Sequence, residues 1–163
     1  PDMYDIDSIV PVMHLERSSV AAGTASIDNV IDSQGHAGGL LLIAVLLDTI
    51  QTGAAVGTFQ ITESDDDSTY TVVPGCNQLT DTQADGSAKD TIGSTDDDSL
   101  VTFYIPLVGA RKRYYKLVFT VASAQAVGVS ATAFLLGKRI AISPASSSAF
   151  DGTAGQVFRA EQV

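Results

Sequence analysis

The chain has no tryptophan, one cysteine and two histidines among its 163 residues. A single cysteine excludes an intramolecular disulfide. We interpret Cys76 as a small, unreactive residue, because no basic residue that would activate a thiol lies near it in the sequence. His14 and His36 belong to no motif with a serine and an acid, and show no zinc-ligand spacing. We therefore expect no catalytic site, no metal and no other cofactor.

Basic residues and long apolar runs are also scarce. Nine basic residues stand against 19 acidic ones, for a net charge of −10, which disfavours a nucleic-acid partner. The longest apolar run, Leu40 to Leu47, is far shorter than the roughly 20 residues that a membrane helix needs. The first residues, Pro1 to Asp5, are acidic and lack the pattern of a signal peptide. We expect a soluble protein, made in the cytoplasm, with no membrane partner.

The clearest secondary-structure signal runs from Leu100 to Leu136, which reads as three successive β-strands. In the middle strand, Tyr114 to Val121, the odd positions hold tyrosine, leucine, phenylalanine and valine, which fall on one face. The even positions, which include Lys116 and Thr120, fall on the other face. A period of two with aromatic and β-branched residues is typical of a strand. The length of the chain fits one domain with its own core.

Other segments extend this all-β pattern. Leu40 to Leu47 is predicted to be a fully buried central strand. Gly57 to Glu63 and Thr69 to Val73 are predicted to form a hairpin, which Pro74-Gly75 would end. Cys76 to Ser99 is polar and predicts a long loop, with a short strand near Thr91-Ile92. The fold class we predict is an antiparallel β-sandwich, either jelly-roll-like or immunoglobulin-like.

Three parts of the chain follow from this pattern: an extended N-terminal arm (1–23), the β-sandwich domain (24–144) and an extended C-terminal tail (145–163). Two interpretations of the first part stay open. It is either an arm that docks on a partner or a first strand along the domain's own sheet. Its apolar residues would be costly to leave in water. The candidate partner contacts in it are Ile9, Val10, Val12 and Met13.

Charged clusters supply the remaining candidates. Arg111, Lys112 and Arg113 precede Lys116, and three interpretations are open for them: a solvent-exposed turn, an ionic contact with an acidic protein, or a nucleic-acid patch. We take the three consecutive residues as candidate partner contacts. Two acidic triplets, Asp65 to Asp67 and Asp96 to Asp98, are interpreted as solvated turns rather than calcium sites, because the alternating ligand spacing is missing.

Two segments resemble a family of small virion proteins of tailed bacteriophages that are encoded near the major capsid protein. In Phe59 to Val73 a strand ends in Glu-Ser-Asp-Asp and a Ser-Thr-Tyr-Thr strand follows. In Val108 to Leu117 a glycine precedes Lys-Arg-Tyr and alternating apolar and basic residues. The resemblance spans about Gly38 to Pro144. Departures are Pro106-Leu107, where an aromatic lead-in is more usual, and the long loop after Cys76.

The resemblance implies a capsid decoration, or cement, protein. Such a protein binds the major capsid protein on the exterior of the virion, commonly as a homotrimer. Two alternatives differ in class. A tail-associated or surface module could bind host glycans, although the chain is poor in aromatic residues. An enzyme would need a catalytic constellation, and we recognise none in the sequence.

Overall fold

The computed structural model describes residues 9–20, 23–50, 57–78, 99–121, 127–137 and 156–159. These residues form nine strands and no helix. In chain order they are β1 (Ile9–Val20), β2 (Gly23–Asp32), β3 (Leu40–Ile50), β4 (Gly57–Ser64), β5 (Thr71–Asn77), β6 (Leu100–Pro106), β7 (Tyr114–Val121), β8 (Val127–Leu136) and β9 (Gln156–Arg159). Accordingly, no helix in the described part of the chain is long and apolar enough to cross a membrane.

The first eight strands pair as one long hairpin that is rolled up. The first strand pairs with the eighth, the second with the seventh, the third with the sixth and the fourth with the fifth, all antiparallel. The sheets have the orders β1-β8-β3-β6-β9 (sheet A) and β2-β7-β4-β5 (sheet B). This pairing is that of a jelly roll. The predicted antiparallel β-sandwich is confirmed, and the strand order selects the jelly roll from the two alternatives.

The first and the last described strands, β1 and β9, both belong to sheet A. Residues 9–20 form the edge strand β1, paired with β8, so they match the second interpretation of the N-terminal part. In the predicted tail, β9 pairs with β6 from Val101 to Tyr104, and this pairing is parallel. Local sequence favours an extended chain in both cases, and only the long-range pairing decides where that chain lies.

The core lies between the sheets, and its pattern confirms the alternation predicted for β7. In β7, Tyr115, Leu117 and Phe119 are fully buried, and the residues between them are half-buried. In β3, the central strand of sheet A, residues 41, 43, 45 and 47 are buried. The other side of β3 is less covered, and Leu46 is 45% exposed. The run Leu40 to Leu47 is therefore the predicted central strand, but the prediction that it is fully buried is wrong, because only one of its faces lies in the core.

The predicted hairpin is present as β4 and β5, but Pro74-Gly75 does not end it. Strand β5 continues to Asn77. Its register with β4 shifts along the way: Thr62 faces Val72, whereas Gln60 faces Asn77. Gly75 has φ of 81°, which glycine adopts without strain. Pro74 fits because β5 is an edge strand, where a missing N–H costs no ladder bond. The buried Gln78 Oε1 accepts a 2.7 Å hydrogen bond from the Phe59 N–H beyond this bulge.

Candidate partner-binding surface

The segments that carry the predicted contacts meet at one end of the sandwich, which we call the turn end (residues 32–40, 64–71 and 106–114). Strand register shows this convergence: Tyr114 pairs with both Asp32 and Ser64. Leu40 pairs with Pro106 and with Leu136, and Leu136 also pairs with Ile9. The N-terminal candidates and the basic candidates, about 100 residues apart in sequence, therefore lie at or near the same end.

Of the four N-terminal candidates, the structure describes the side chain of Val12. Val12 is half-buried and packs against the core of the sandwich itself. This position explains why an apolar residue stands there without requiring a partner. The neighbouring Pro11 is exposed. Ile9, Val10 and Met13 lie in β1, and their side chains are outside the described part, so their role as contacts stays a prediction.

The side chain of Arg111 forms an ion pair inside the protein. Its guanidinium Nη1 lies 3.1 Å from Glu63 Oε1, and the two side chains are 3% and 8% exposed. The backbone N–H of Lys112 donates to the other carboxylate oxygen, Oε2, at 3.3 Å. The ion pair joins the end of β4 to the loop before β7. A residue so buried presents no charge to a partner, so the structure reassigns Arg111 from a candidate contact to an internal bond.

Sequence reasoning did not identify Glu63. Its partner is 48 positions away, and the sequence shows only the end of an alternating strand. The β4–β7 register, with Glu63 opposite Tyr115, is what brings the glutamate next to the loop that carries Arg111. The detectable signal was that β4 and the basic loop both belong to the segments of the family resemblance.

Arg113 makes the second ion pair of the turn end. It donates to both carboxylate oxygens of Asp32, from Nε at 2.8 Å and from Nη2 at 2.7 Å, and also to Gln34 Oε1. Its guanidinium lies 4.7 Å above the centre of the Tyr114 ring. The hydrogen bond from Arg113 holds the pKa of Asp32 below its usual value. Unlike Arg111, this pair is about 40% exposed, at 41% and 43%, and therefore reachable from solvent.

The two lysines are less firmly paired. Lys112 Nζ donates to Thr71 Oγ1 at 3.1 Å, a neutral acceptor. Lys116 Nζ lies 4.0 Å from Asp67 Oδ1 and 4.2 Å above the Tyr70 ring, and the Tyr70 hydroxyl donates to the same Asp67 oxygen. At an exposed position such contacts are weak. Lys112 is therefore the basic residue of the loop whose charge is least compensated.

Asp66 organises the turn between β4 and β5. Its Oδ1 accepts hydrogen bonds from the Ser64 hydroxyl at 2.8 Å and from the backbone N–H groups of Ser68 and Thr69 at 3.0 and 2.8 Å. These bonds hold the pKa of Asp66 far below its usual value, the bond from Thr69 contributing most. Within the described residues no group of three acidic, histidine or cysteine side chains could hold a metal ion. The triplet Asp96 to Asp98 lies outside the described residues.

The depressed pKa of Asp66 predicts an acid-sensitive turn. A folded-state pKa below the unfolded value, near 3.8, means that the carboxylate stabilises the fold above that pH and loses this effect as the pH falls further. We expect Asp66→Asn to lower the melting temperature at pH 7, and this deficit to shrink between pH 4 and pH 2. Thermal melts at these pH values test it. Asp65→Asn is the control, because within the described residues the hydrogen bonds of this turn go to the Asp66 carboxylate and none goes to that of Asp65. An equal deficit for both variants would contradict the prediction.

Tyr115 lies on the buried side of the same region. It is fully buried between Ile31 and Glu63, its two register partners, and its hydroxyl has no hydrogen-bond partner in the described part of the chain. Burial raises the pKa of this phenol strongly, and the negative charge of Glu63 adds to the effect. The hydroxyl stays protonated at any physiological pH, so it is not available as a base.

Comparison with known proteins adds no assignment. No family model matches the chain. No curated protein matches it either.

Proposed function

We propose that this chain is a structural virion protein that binds the outer surface of a tailed-phage capsid and reinforces it. The observation that carries the proposal is the joining of the two segments that resemble this family. Strand β4 pairs with β7 along its whole length, from Gly57–Val121 to Ser64–Tyr114. The Glu63–Arg111 ion pair then connects the last residues of the first segment to the loop of the second. Two motifs distant in sequence thus form one unit.

The physical character of the turn end is compatible with this role. A cement protein has to hold a fixed shape while it bridges subunits, and the turn end is braced by two ion pairs and by the Asp66 turn. Its accessible basic residues, Lys112 and Arg113, would meet acidic groups of the major capsid protein. Homotrimers seated on threefold positions would add avidity to contacts that are individually weak. Location on the capsid exterior is part of the same proposal.

A jelly roll does not choose between the two binding roles, because the fold serves viral capsid proteins and lectins alike. The number of copies in a purified particle distinguishes the two roles. Hundreds of copies per particle would support cement, whereas a few copies would identify a tail component and favour the glycan-binding alternative. At the turn end, the rings of Tyr70 and Tyr114 are each covered on one face by a cation, which leaves at most the opposite face of each ring for stacking on a sugar.

Charge removal at the turn end tests the contact itself. The double variant Lys112→Gln/Arg113→Gln should bind capsids lacking this protein roughly fivefold more weakly at low salt, and nearly equally at high salt, because exposed ion pairs are worth under about 1 kcal/mol each and are screened. Binding isotherms at several salt concentrations measure it. Asp32→Asn is the control, since it leaves Arg113 in place without its partner. Unchanged binding of the double variant at every salt concentration would contradict the contact.

A further inference from the structure

Among the described strands, four lie at sheet edges, namely β1, β9, β2 and β5, and three of these carry features that oppose further pairing. Strand β9 has only four residues. Strand β5 contains Pro74 and the bulge at Gly75. Strand β1 has two register irregularities, one after Pro11 and one after Leu15. Short strands, prolines and bulges are the usual protection of a sheet edge against other chains.

Strand β2 is different over its first half. Gly23 to Ile27 pairs residue by residue with Val121 to Leu117 of β7, and the register becomes irregular only between Ile27 and Ile31. Among the described strands none lies on the other side of β2, which ends the order of sheet B. In an antiparallel ladder every second residue turns its N–H and C=O away from the partner. Gly23 to Ile27 therefore offers a regular row of main-chain groups at an edge.

The sequence of this edge limits what can pair with it. Gly-Thr-Ala-Ser-Ile carries no charge, and Asp28 follows directly. A second copy that paired through this edge in free solution would bring two molecules with a net charge of −10 together, which opposes that pairing. The copies of a homotrimer would instead be held next to one another by their contacts with the capsid. An extended segment of another protein, uncharged in its middle and basic near Asp28, meets no such repulsion. Strand addition of this kind gains affinity from main-chain hydrogen bonds.

We propose that the Gly23–Ile27 edge of β2 is a strand-acceptor site for an extended segment of the capsid protein. The assignment rests on the proposed function and names the mode by which the partner is bound. The charges of the turn end are largely compensated within the protein. In this proposal main-chain pairing attaches the capsid segment, and the basic side chains of the turn end only orient the bound protein. The site lies at the edge of sheet B, in the half of β2 that is remote from Asp32 and its ion pair with Arg113.

Two neighbouring proline variants of the full-length protein test the edge. In Thr24→Pro and Ala25→Pro, one proline removes an N–H that bonds β7, and the other removes an N–H that faces outward. Melting temperatures identify the outward one, since only it keeps the stability of the wild type. We expect that variant to bind capsids lacking this protein about fivefold more weakly, as the loss of one main-chain hydrogen bond implies. Wild-type affinity in that variant would overturn the proposal.

Hydrogen exchange gives a second readout if both proline variants fail to fold. Alternate amides of Gly23 to Ile27 should exchange fast in the free wild-type protein and slow severalfold on capsids. Binding without this protection would overturn the acceptor site and leave the proposed function standing. Absence of any capsid binding would overturn both. Protection that grows with the concentration of the free protein would assign the edge to a second copy and overturn the proposal as well.

Discussion

Replacing Gly39 by alanine should lower the melting temperature by roughly 6–12 °C. A Cβ at this position would lie 2.2 Å from the carbonyl oxygen of Leu136 and 3.0 Å from that of His36, and neither backbone atom can rotate away. Gly39 also holds its neighbours: its N–H donates to His36 and its carbonyl accepts from the Leu107 N–H, both at 2.9 Å. We expect a loss of about 3 kcal/mol, which is large for one methyl group. For a protein of this size that corresponds to the stated shift.

Gly35 in the same loop provides the matched control. Its φ is +87°, and a Cβ there would meet nothing within 4 Å. Gly35→Ala therefore carries only the cost of a left-handed backbone, about 1 kcal/mol. Thermal or urea unfolding of both variants separates steric clash from backbone strain. If Gly35→Ala destabilised the protein as much as Gly39→Ala, the close approach of β8 to this loop would not be the cause.

The close approach at Gly39 shows what sequence reasoning cannot reach. The glycines before Leu40 predict a loop, and a loop is present. That one of them must lie against the end of β8 depends on the pairing of Leu40 with Leu136, almost 100 residues later. In contrast, the alternation in β7 and the hairpin of β4 and β5 are local patterns, and these predictions are confirmed. The order of strands in the jelly roll is not local.

The basic loop is a similar case for the candidate site. Three adjacent cations look alike in sequence, yet each has a different environment. Arg111 is buried against Glu63, Arg113 pairs with Asp32 in solvent, and Lys112 bonds a neutral hydroxyl. These differences arise from strands β2, β4 and β5, which lie on different sides of the loop only in the folded protein. Sequence located the cluster and could not rank its members as contacts.

The Glu63–Arg111 pair provides the second large effect. Glu63→Leu removes the carboxylate that faces the buried Arg111 guanidinium, and Arg111→Met removes the guanidinium that faces the buried Glu63 carboxylate. We expect each single variant to lose about 3–5 kcal/mol of unfolding free energy. The double variant Glu63→Leu/Arg111→Met should recover most of that loss, because a packed apolar pair avoids the desolvation of both charges. Urea unfolding of the four proteins in a double-mutant cycle gives the coupling energy.

The exposed pair serves as the control for this cycle. Asp32→Asn and Arg113→Gln remove an ion pair of better geometry, since both carboxylate oxygens are engaged, but solvent and salt screen it. We expect each to lose much less unfolding free energy than the single variants of the buried pair. Equal losses at the two pairs would show that burial does not decide the worth of the ion pairs at the turn end.

The same variants separate a structural role of Arg111 from a contact role. If Arg111 served a partner directly, Glu63→Leu/Arg111→Met would fold normally and bind capsids poorly. If its charge serves the fold, the double variant regains both stability and binding, whereas Lys112→Gln/Arg113→Gln loses binding alone. The structure favours the second outcome, because a side chain that is 3% exposed offers a partner almost no surface. The Glu63–Arg111 pair would then link the two segments of the family resemblance and stabilise the fold. The contacts with a partner would lie on the residues around these segments.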